Sequence, residues 1–336
     1  MATIFLQEAK MAGAATKGYF KSVTEVSSLR GTADEKGYAT PEGMSIVDNY
    51  MFYATINDKG NQKLNVHDLK TGGNFPVYNG NPSKNNTVFT ELGHANDIFV
   101  NKDYIYIAVG VDGRPQVIRF KWHISNNKFY LDTKKEYYVK NKAGNDWKGV
   151  LFSGIGYDEK AGLFILKRGT NIYTAKIDTP NLRFQIKEVY TLNLSNVKYD
   201  GKTYNIPELK EKFEREHPGE NLKCYAYQSM YYYKYKNKEG GRIYLPISHA
   251  STDDANRLHT GMVVVYEFNP KSAAQTLQPL STTSFRVNMA AKYKNLMEFE
   301  GVSSYNNKLY FVANAVKTNA EKHTAFDAYF NDYTLE

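Results

Sequence analysis

The sequence contains almost no cysteine, little tryptophan and no long apolar run. Its single cysteine, Cys224, excludes an intramolecular disulfide and any multi-cysteine metal site. No apolar stretch approaches the roughly 18 residues that indicate a membrane-spanning helix, so we expect no membrane insertion. Glu8 and Lys10 interrupt the apolar residues of the N-terminal segment, so we expect no secretory signal peptide.

Linear motifs of the common enzyme and nucleic-acid-binding classes are also missing. The sequence has no G-x-S-x-G, no H-E-x-x-H and no phosphate-binding loop. The formal net charge is +8, from 43 Lys+Arg against 35 Asp+Glu, which favours anionic partners. The basic residues are scattered and no zinc-finger or helix-turn-helix signature accompanies them, so we expect no nucleic-acid partner.

A repeated pattern is present instead, in a chain with 28 Tyr and 18 Phe. Each copy starts with a polar residue (the first position), then a small or acidic residue (the second position) and an apolar residue (the third position). A turn of Asn, Asp, Lys and Gly follows, and then a strand rich in Tyr, Phe and Ile. The first positions are Glu42, Asn96, Ser153, Gln228 and Glu300, spaced 54 to 75 residues apart. The second positions are Gly43, Asp97, Gly154, Ser229 and Gly301, and the third are Met44, Ile98, Ile155, Met230 and Val302.

Short alternating runs bounded by such turns predict antiparallel hairpins, and most copies are followed by two further strand-like runs. Five four-stranded repeats predict an all-β fold, a five-bladed β-propeller, rather than a β-sandwich. The segment GYFKSVTEVSSL precedes the first copy and is expected to supply a missing outer strand, so that N- and C-terminal strands close the ring. We expect residues 1–18 to be an N-terminal extension and residues 19–336 a single propeller domain. Pro207 and a following Pro-Gly stop predict one short helical insertion near 207–217.

The first positions are expected to form a ring around the mouth of the central channel, because the first strand of each propeller blade lines that channel. Three interpretations remain open for this ring. Its polar residues have a structural role, or Glu42, Asp97 and Glu300 bind a hard cation such as Ca²⁺, or the same three carboxylates are catalytic in a glycoside hydrolase. In the third blade Ser153 stands where such a hydrolase would need an acid. His94 of GHAND accompanies the ring.

The motifs EGMS, GHANDI, QSMYYY and EGVSSYNNKLY, from about residue 20 onward, resemble the five-bladed propellers of phage tail receptor-binding proteins that attach to Gram-positive bacteria. The resemblance implies a virion protein, extracellular after lysis, whose partners are a cell-surface polysaccharide and either other virion proteins or further copies of itself. Lys and Arg would meet phosphate groups and aromatic faces would meet sugars of a teichoic-acid-like glycan. The expected ligand contacts are Glu42, His94, Asn96, Asp97, Trp147, Gln228, Tyr231, Tyr233, Arg257 and Glu300.

The sequence therefore favours non-catalytic recognition of a bacterial surface polysaccharide. The alternatives are a glycoside hydrolase that acts on such a polysaccharide through Glu42, Asp97 and Glu300, and a secreted bacteriocin-like interaction protein. No cofactor other than Ca²⁺ is expected.

Overall fold

The computed structural model is almost entirely β-structure. It describes residues 23–28, 40–57, 59–80, 85–199, 202–219, 224–248, 260–280, 285–288, 296–316 and 323–335. The predicted extension 1–18 and the predicted ligand contact Arg257 lie outside the described residues.

The first strand, β1 (Val23–Ser28), precedes three blades of four antiparallel strands each. Blade one consists of β2 (Thr40–Val47), β3 (Tyr50–Ile56), β4 (Gln62–Asp68) and β5 (Asn74–Asn79). Blade two consists of β6 (Asp97–Val100), β7 (Tyr104–Ala108), β8 (Val117–Ser125) and β9 (Lys128–Lys140). Blade three consists of β10 (Gly154–Asp158), β11 (Leu163–Arg168), β12 (Asn171–Asp178) and β13 (Arg183–Leu192).

A small insertion separates these blades from the last two. It comprises β14 (Val197–Tyr199), β15 (Lys202–Tyr204) and the helix α1 (Ile206–Glu216). Blade four consists of β16 (Tyr231–Lys234), β17 (Gly241–Ile247), β18 (Thr260–Phe268) and β20 (Phe285–Asn288), with the short β19 (Thr276–Leu277) between the last two. Blade five contains β21 (Leu296–Tyr305), β22 (Lys308–Val316) and β23 (His323–Thr334).

The helix confirms the predicted insertion, displaced by one residue. Asn205 caps it, since its side-chain oxygen accepts a hydrogen bond from the Glu208 backbone N–H, and Pro207 lies in the first turn. Ile206 and Phe213 are buried against the core between blades three and four. The helix is therefore anchored to the side of the ring.

The tight turns explain why strands follow one another so closely. Asn126 and Asn127, between β8 and β9, both have positive φ, and so do Asn306 and Asn307 between β21 and β22. A two-residue turn of type I′ requires this conformation at both central positions, and asparagine tolerates it better than most residues. The Asn-Asn pairs thereby fix the register of their hairpins.

The first and last blades are joined by both ends of the described chain. β1 pairs antiparallel with β23, so that it becomes the fourth strand of blade five. This confirms the predicted contribution of the N-terminal segment. The inner strands β2, β6, β10, β16 and β21 contact one another in sequence, and β21 contacts β2.

The core lies between blades. Five apolar clusters occupy the five boundaries between neighbouring blades, and the one between blades five and one contains Met44, Tyr53 and Val312. The run at 231–233 shows how this is achieved, because Tyr232 packs toward blade three while Tyr233 packs toward blade five. Alternation along a strand thus buries both faces of a blade.

Serine hydroxyls link neighbouring inner strands. An inner strand is the edge of its own blade, so its outward backbone groups have no partner within that blade. The Val100 N–H of blade two donates to Ser45 Oγ of blade one over 3.1 Å. The Ile46 N–H of blade one donates to Ser303 Oγ of blade five over 3.1 Å. The serine shared by EGMS and EGVS therefore has a structural role.

We predict that Ser45→Ala and Ser303→Ala each lower the free energy of unfolding by about 1–3 kcal/mol, because each leaves a backbone N–H without its acceptor. Ser45→Ala should have the larger effect, since the bond from Val100 is fully buried and the bond from Ile46 is only partly buried. Urea denaturation measures both, with the exposed Ser195→Ala as control. Equal stability of all three variants and the parent protein would refute the role of these hydroxyls.

Candidate functional site

The candidate site is the end of the central channel at which the inner strands begin, here called the channel mouth. The first positions of the five blades lie there. Glu42 and Glu300 are buried, whereas Asn96, Ser153 and Gln228 are half-buried. The mouth thus has a buried carboxylate side and a more open amide and hydroxyl side.

Close approach of neighbouring strands explains the glycines at the second position. A Cβ on Gly43 would lie 2.3 Å from the Cα of Asp97. A Cβ on Gly301 would lie 2.4 Å from Cγ of Met44, and one on Gly154 would lie 2.6 Å from Cγ of Met230. Only a residue without a side chain fits these places.

The two glutamates of the EG pairs occupy corresponding irregularities. The pairing of β2 with β3 shifts register between Pro41 and Met44, and that of β21 with β22 shifts between Phe299 and Gly301. Glu42 and Glu300 are therefore bulge residues on two inner strands that contact each other. A bulge redirects a side chain relative to the regular pleat.

Asp97 has a structural role at the second position of blade two. Its Oδ1 accepts from the Ile98 N–H over 3.0 Å, and its Oδ2 accepts from the Ile155 N–H of blade three over 2.9 Å. The Met230 N–H of blade four also donates to this carboxyl. Burial raises the pKa of Asp97 well above its usual value, although these three bonds and nearby Lys167 oppose the rise. Asp97 joins three blades and is unavailable as a ligand contact or catalytic acid.

Lys167 is a member of the mouth that the repeat pattern does not contain. It lies on β11 and is fully buried. Its Nζ donates to Ser153 Oγ over 2.8 Å, to the Gln228 carbonyl over 2.8 Å and to the Tyr227 carbonyl over 3.3 Å. Burial lowers the pKa of Lys167 to about 7, and the charge of Asp97 opposes this fall. One signal was present in the sequence, because Lys167 directly follows the apolar run LFIL on a strand that has two buried faces.

Glu298 is the half-buried carboxylate at the mouth. Its Oε1 accepts a hydrogen bond from Gln228 Nε2 over 2.8 Å, across the boundary between blades four and five. The bond holds the carboxylate beside the first position of blade four. Glu298 is thus better placed for contact with a ligand than the buried Glu42 and Glu300.

The predicted aromatic contacts lie elsewhere. Tyr231 hydrogen-bonds Ser304, and burial raises the pKa of Tyr231 to about 12, while Tyr233 belongs to the core between blades four and five. Trp147 packs on neighbouring rings and lines a separate groove of about 340 Å³ between blades two and three. Of the predicted contacts outside the ring that the structure describes, only His94 is exposed close to a first position.

A cavity of about 380 Å³ occupies the channel beyond the mouth. All five third positions line it, together with the later residues of the inner strands; they are Met44, Ile98, Ile155, Met230 and Val302. An apolar ring therefore lies below the polar ring. Among the described residues, no group of three or more His, Cys, Asp or Glu is arranged to hold a metal ion. The geometry does not support the expected cation site of Glu42, Asp97 and Glu300, since both oxygens of Asp97 accept backbone N–H bonds.

No helix in the described part of the chain is long and apolar enough to cross a membrane. No protein-family model matches the chain, and no curated protein sequence matches it.

Similar solved structures exist at low sequence identity. An exo-1,5-α-L-arabinanase from a bovine ruminal metagenomic library is 10% identical over 87% of this chain and 93% of its own, with a TM-score of 0.41. A family 43 β-xylosidase/α-arabinofuranosidase from a compost metagenome is 9% identical over 94% and 98%, with a TM-score of 0.44. The PQQ domain of a Coprinopsis cinerea pyranose dehydrogenase is 10% identical over 94% and 98%, with a TM-score of 0.43.

These proteins correct one expectation. The first two are glycoside hydrolases, which contradicts the expected non-catalytic recognition of a teichoic-acid-like polysaccharide by a phage receptor-binding protein. The resemblance to phage tail proteins is confirmed only in its architecture, the propeller.

We predict that Gly43→Ala and Gly301→Ala each lower the free energy of unfolding by at least about 2 kcal/mol, because the new methyl group overlaps the adjoining inner strand. Gly73→Ala is the matched control and should cost less, since a Cβ there would lie 2.8 Å from the end of the half-buried Phe75 ring, a side chain that can move, and meets no backbone atom. Thermal and urea unfolding of the three variants give the comparison. A parent-like Gly43→Ala would show that the inner strands do not lie so close together.

We also predict a pH dependence of stability from Lys167. Its pKa is about 7 in the folded protein and 10.5 ordinarily, so between these values the unfolded chain binds a proton that the folded protein does not. Stability from this group therefore rises with pH from about 7 to 10, by at most about 1.4 kcal/mol per pH unit. Urea titrations from pH 7 to 9 should show a smaller rise for Lys167→Met. Identical slopes in both proteins would contradict the lowered pKa.

Proposed function

We propose that the protein hydrolyses glycosidic bonds of a polysaccharide at the channel mouth. The observation that carries the proposal is the Glu298 carboxylate, held half-buried by the Gln228 amide on the inner strand that also carries Glu300. Glycoside hydrolysis needs two carboxyl groups on either side of the scissile bond, one to protonate the leaving oxygen and one to act as base or nucleophile.

Glu298 is the candidate for base or nucleophile. Its side chain is more exposed than the other mouth carboxylates. The hydrogen bond that it accepts from the Gln228 side-chain amide fixes the orientation of the carboxylate and stabilises its negative charge. The proton donor is assigned to Glu300 or Glu42, which lie on contacting inner strands at bulges. Asp97 takes no part, because its carboxyl is bound by backbone N–H groups of three blades.

The half-buried amides and hydroxyl of Asn96, Gln228 and Ser153 complete the mouth with donors and acceptors for sugar hydroxyl groups. Tyr227 adds a half-buried aromatic ring, a surface on which sugar rings stack. This combination suits a polysaccharide better than a small charged metabolite.

The test is release of reducing ends from arabinan, xylan and bacterial cell-wall polysaccharides. We predict that Glu298→Gln lowers the rate about 10²–10⁴-fold with little change in unfolding temperature, the range expected for loss of an acid–base group. Glu300→Gln and Glu42→Gln identify the proton donor, which is the one whose loss gives a comparable fall. Glu211→Gln is the control, because that exposed side chain lies on α1 at the side of the ring.

Two results would overturn the proposal. One is a parent protein that releases no reducing ends from any of these polysaccharides. The other is a Glu298→Gln variant that retains the full rate.

A further inference from the structure

We propose that Ser153 and Lys167 form a nucleophile–base pair that hydrolyses carboxylic esters, such as an O-acetyl group on a sugar hydroxyl. The inference goes beyond the proposed function and uses neither Glu298 nor Glu300. It rests on the contact between the Ser153 hydroxyl and a buried amine in the open part of the mouth.

The partners of Lys167 decide what its amine can do. Two of them, the backbone carbonyls of Gln228 and Tyr227, can only accept hydrogen bonds. Two N–H groups of the lysine therefore stay directed at these carbonyls. The third is the Ser153 hydroxyl, which both donates and accepts. In the neutral amine the lone pair is therefore directed at Ser153, and a proton can move from Oγ to Nζ over 2.8 Å without rearrangement.

The buried surroundings of Lys167 favour the neutral form of its amine more strongly than water would. Lys167 is fully buried, and burial lowers its pKa to about 7, so that much of the amine is uncharged at neutral pH. The titratable group that faces it is Asp97, and a negative charge on that carboxyl favours the ammonium form. The Tyr227 ring lies 5.3 Å from Nζ, and burial raises the pKa of its hydroxyl, so this group is neutral here.

The backbone holds the pair in place. The Ser153 N–H donates to the Lys167 carbonyl over 2.8 Å, and Gly154 pairs with Lys167 in the sheet. Since Gly154 has no room for a side chain, this part of blade three packs directly on Met230 of blade four. Ser153 itself is half-buried, so an acyl group that enters the mouth can reach it while the lysine stays covered.

The reaction proceeds in two balanced steps. Ser153 Oγ attacks the acyl carbon, its proton passes to Lys167 Nζ, and the same proton leaves with the alcohol as the C–O bond breaks. A water molecule then attacks the acyl-serine, gives its proton to Nζ and releases the carboxylic acid, while Oγ recovers a proton. The sum is ester plus water to alcohol plus acid, with no oxidant or cofactor. Serine–lysine pairs of this kind are a known variant of the serine–histidine–aspartate triad.

Covalent labelling tests the proposal on the unaltered protein. A fluorophosphonate probe should modify Ser153, identified by peptide mass spectrometry, and p-nitrophenyl acetate should be hydrolysed at a rate that rises through pH of about 7. Ser153→Ala removes only the hydroxyl and should abolish both, with at least a 10²-fold loss of rate taken as the order expected for such a group. Lys167→Met should retain the hydroxyl but lose labelling by a similar factor. Ser195→Ala, on an exposed loop, is the matched serine control.

The outcomes separate a reactive pair from a structural one. Absence of label at Ser153 in the folded parent protein overturns the proposal, and so does undiminished labelling in a Lys167→Met variant that melts cooperatively. A purely structural lysine would change the unfolding temperature on substitution without any reaction at Ser153. Because the probes are an ester and a phosphonate, the result does not depend on whether the protein cleaves glycans.

Discussion

The fold depends on how the inner edge of each blade satisfies its backbone. An inner strand pairs on one side only, and its remaining N–H and C=O groups are covered by neighbouring blades rather than by bulk water. At each of the five boundaries a side chain of one blade hydrogen-bonds the backbone at the inner edge of the next. These side chains are Ser45, Asp97, Lys167, Ser248 and Ser303. The apolar clusters between blades add bulk stabilisation, but these bonds fix how neighbouring inner strands align.

The same constraint explains the composition of the channel mouth. Where the backbone group at a boundary is an N–H, the partner is a hydroxyl or carboxylate oxygen, as at Ser45 and Asp97. Where it is a carbonyl, the partner is the side-chain amine of Lys167, which donates to it. A structural requirement has thereby placed a buried amine beside Ser153. A reaction at the mouth that used Lys167 would therefore use a side chain that the fold already needs to join blades three and four.

Much of the architecture could be predicted from the sequence, since period-two alternation and the Asn-rich turns are local signals. The inner strands, the helix near residue 207 and the outer strand before the first copy were all predicted. The role of Asp97 could not be predicted, because an aspartate serves equally well as an oxygen ligand for a cation and as an acceptor for backbone N–H groups. Lys167 was missed because one lysine in an apolar strand does not show which groups its amine meets. The roles of Tyr231 and Tyr233 could not be predicted, because tyrosine packs against a core between blades as readily as it binds sugars, and both residues pack in this way while lining the channel cavity.

The pairing of β1 with β23 sets the order in which the structure can be completed. β1 is made before every other described strand, yet its partner is nearly a whole chain length away, so this contact carries the largest loop-closure cost in the ring. The strands of each of blades one to four follow one another in the chain, so these blades can assemble from local hairpins during synthesis. The fifth lacks two strands, β23 and the β1 that pairs with it, until residues His323–Thr334 are available. Commitment to the finished ring is therefore a late event, governed by the encounter of two distant segments.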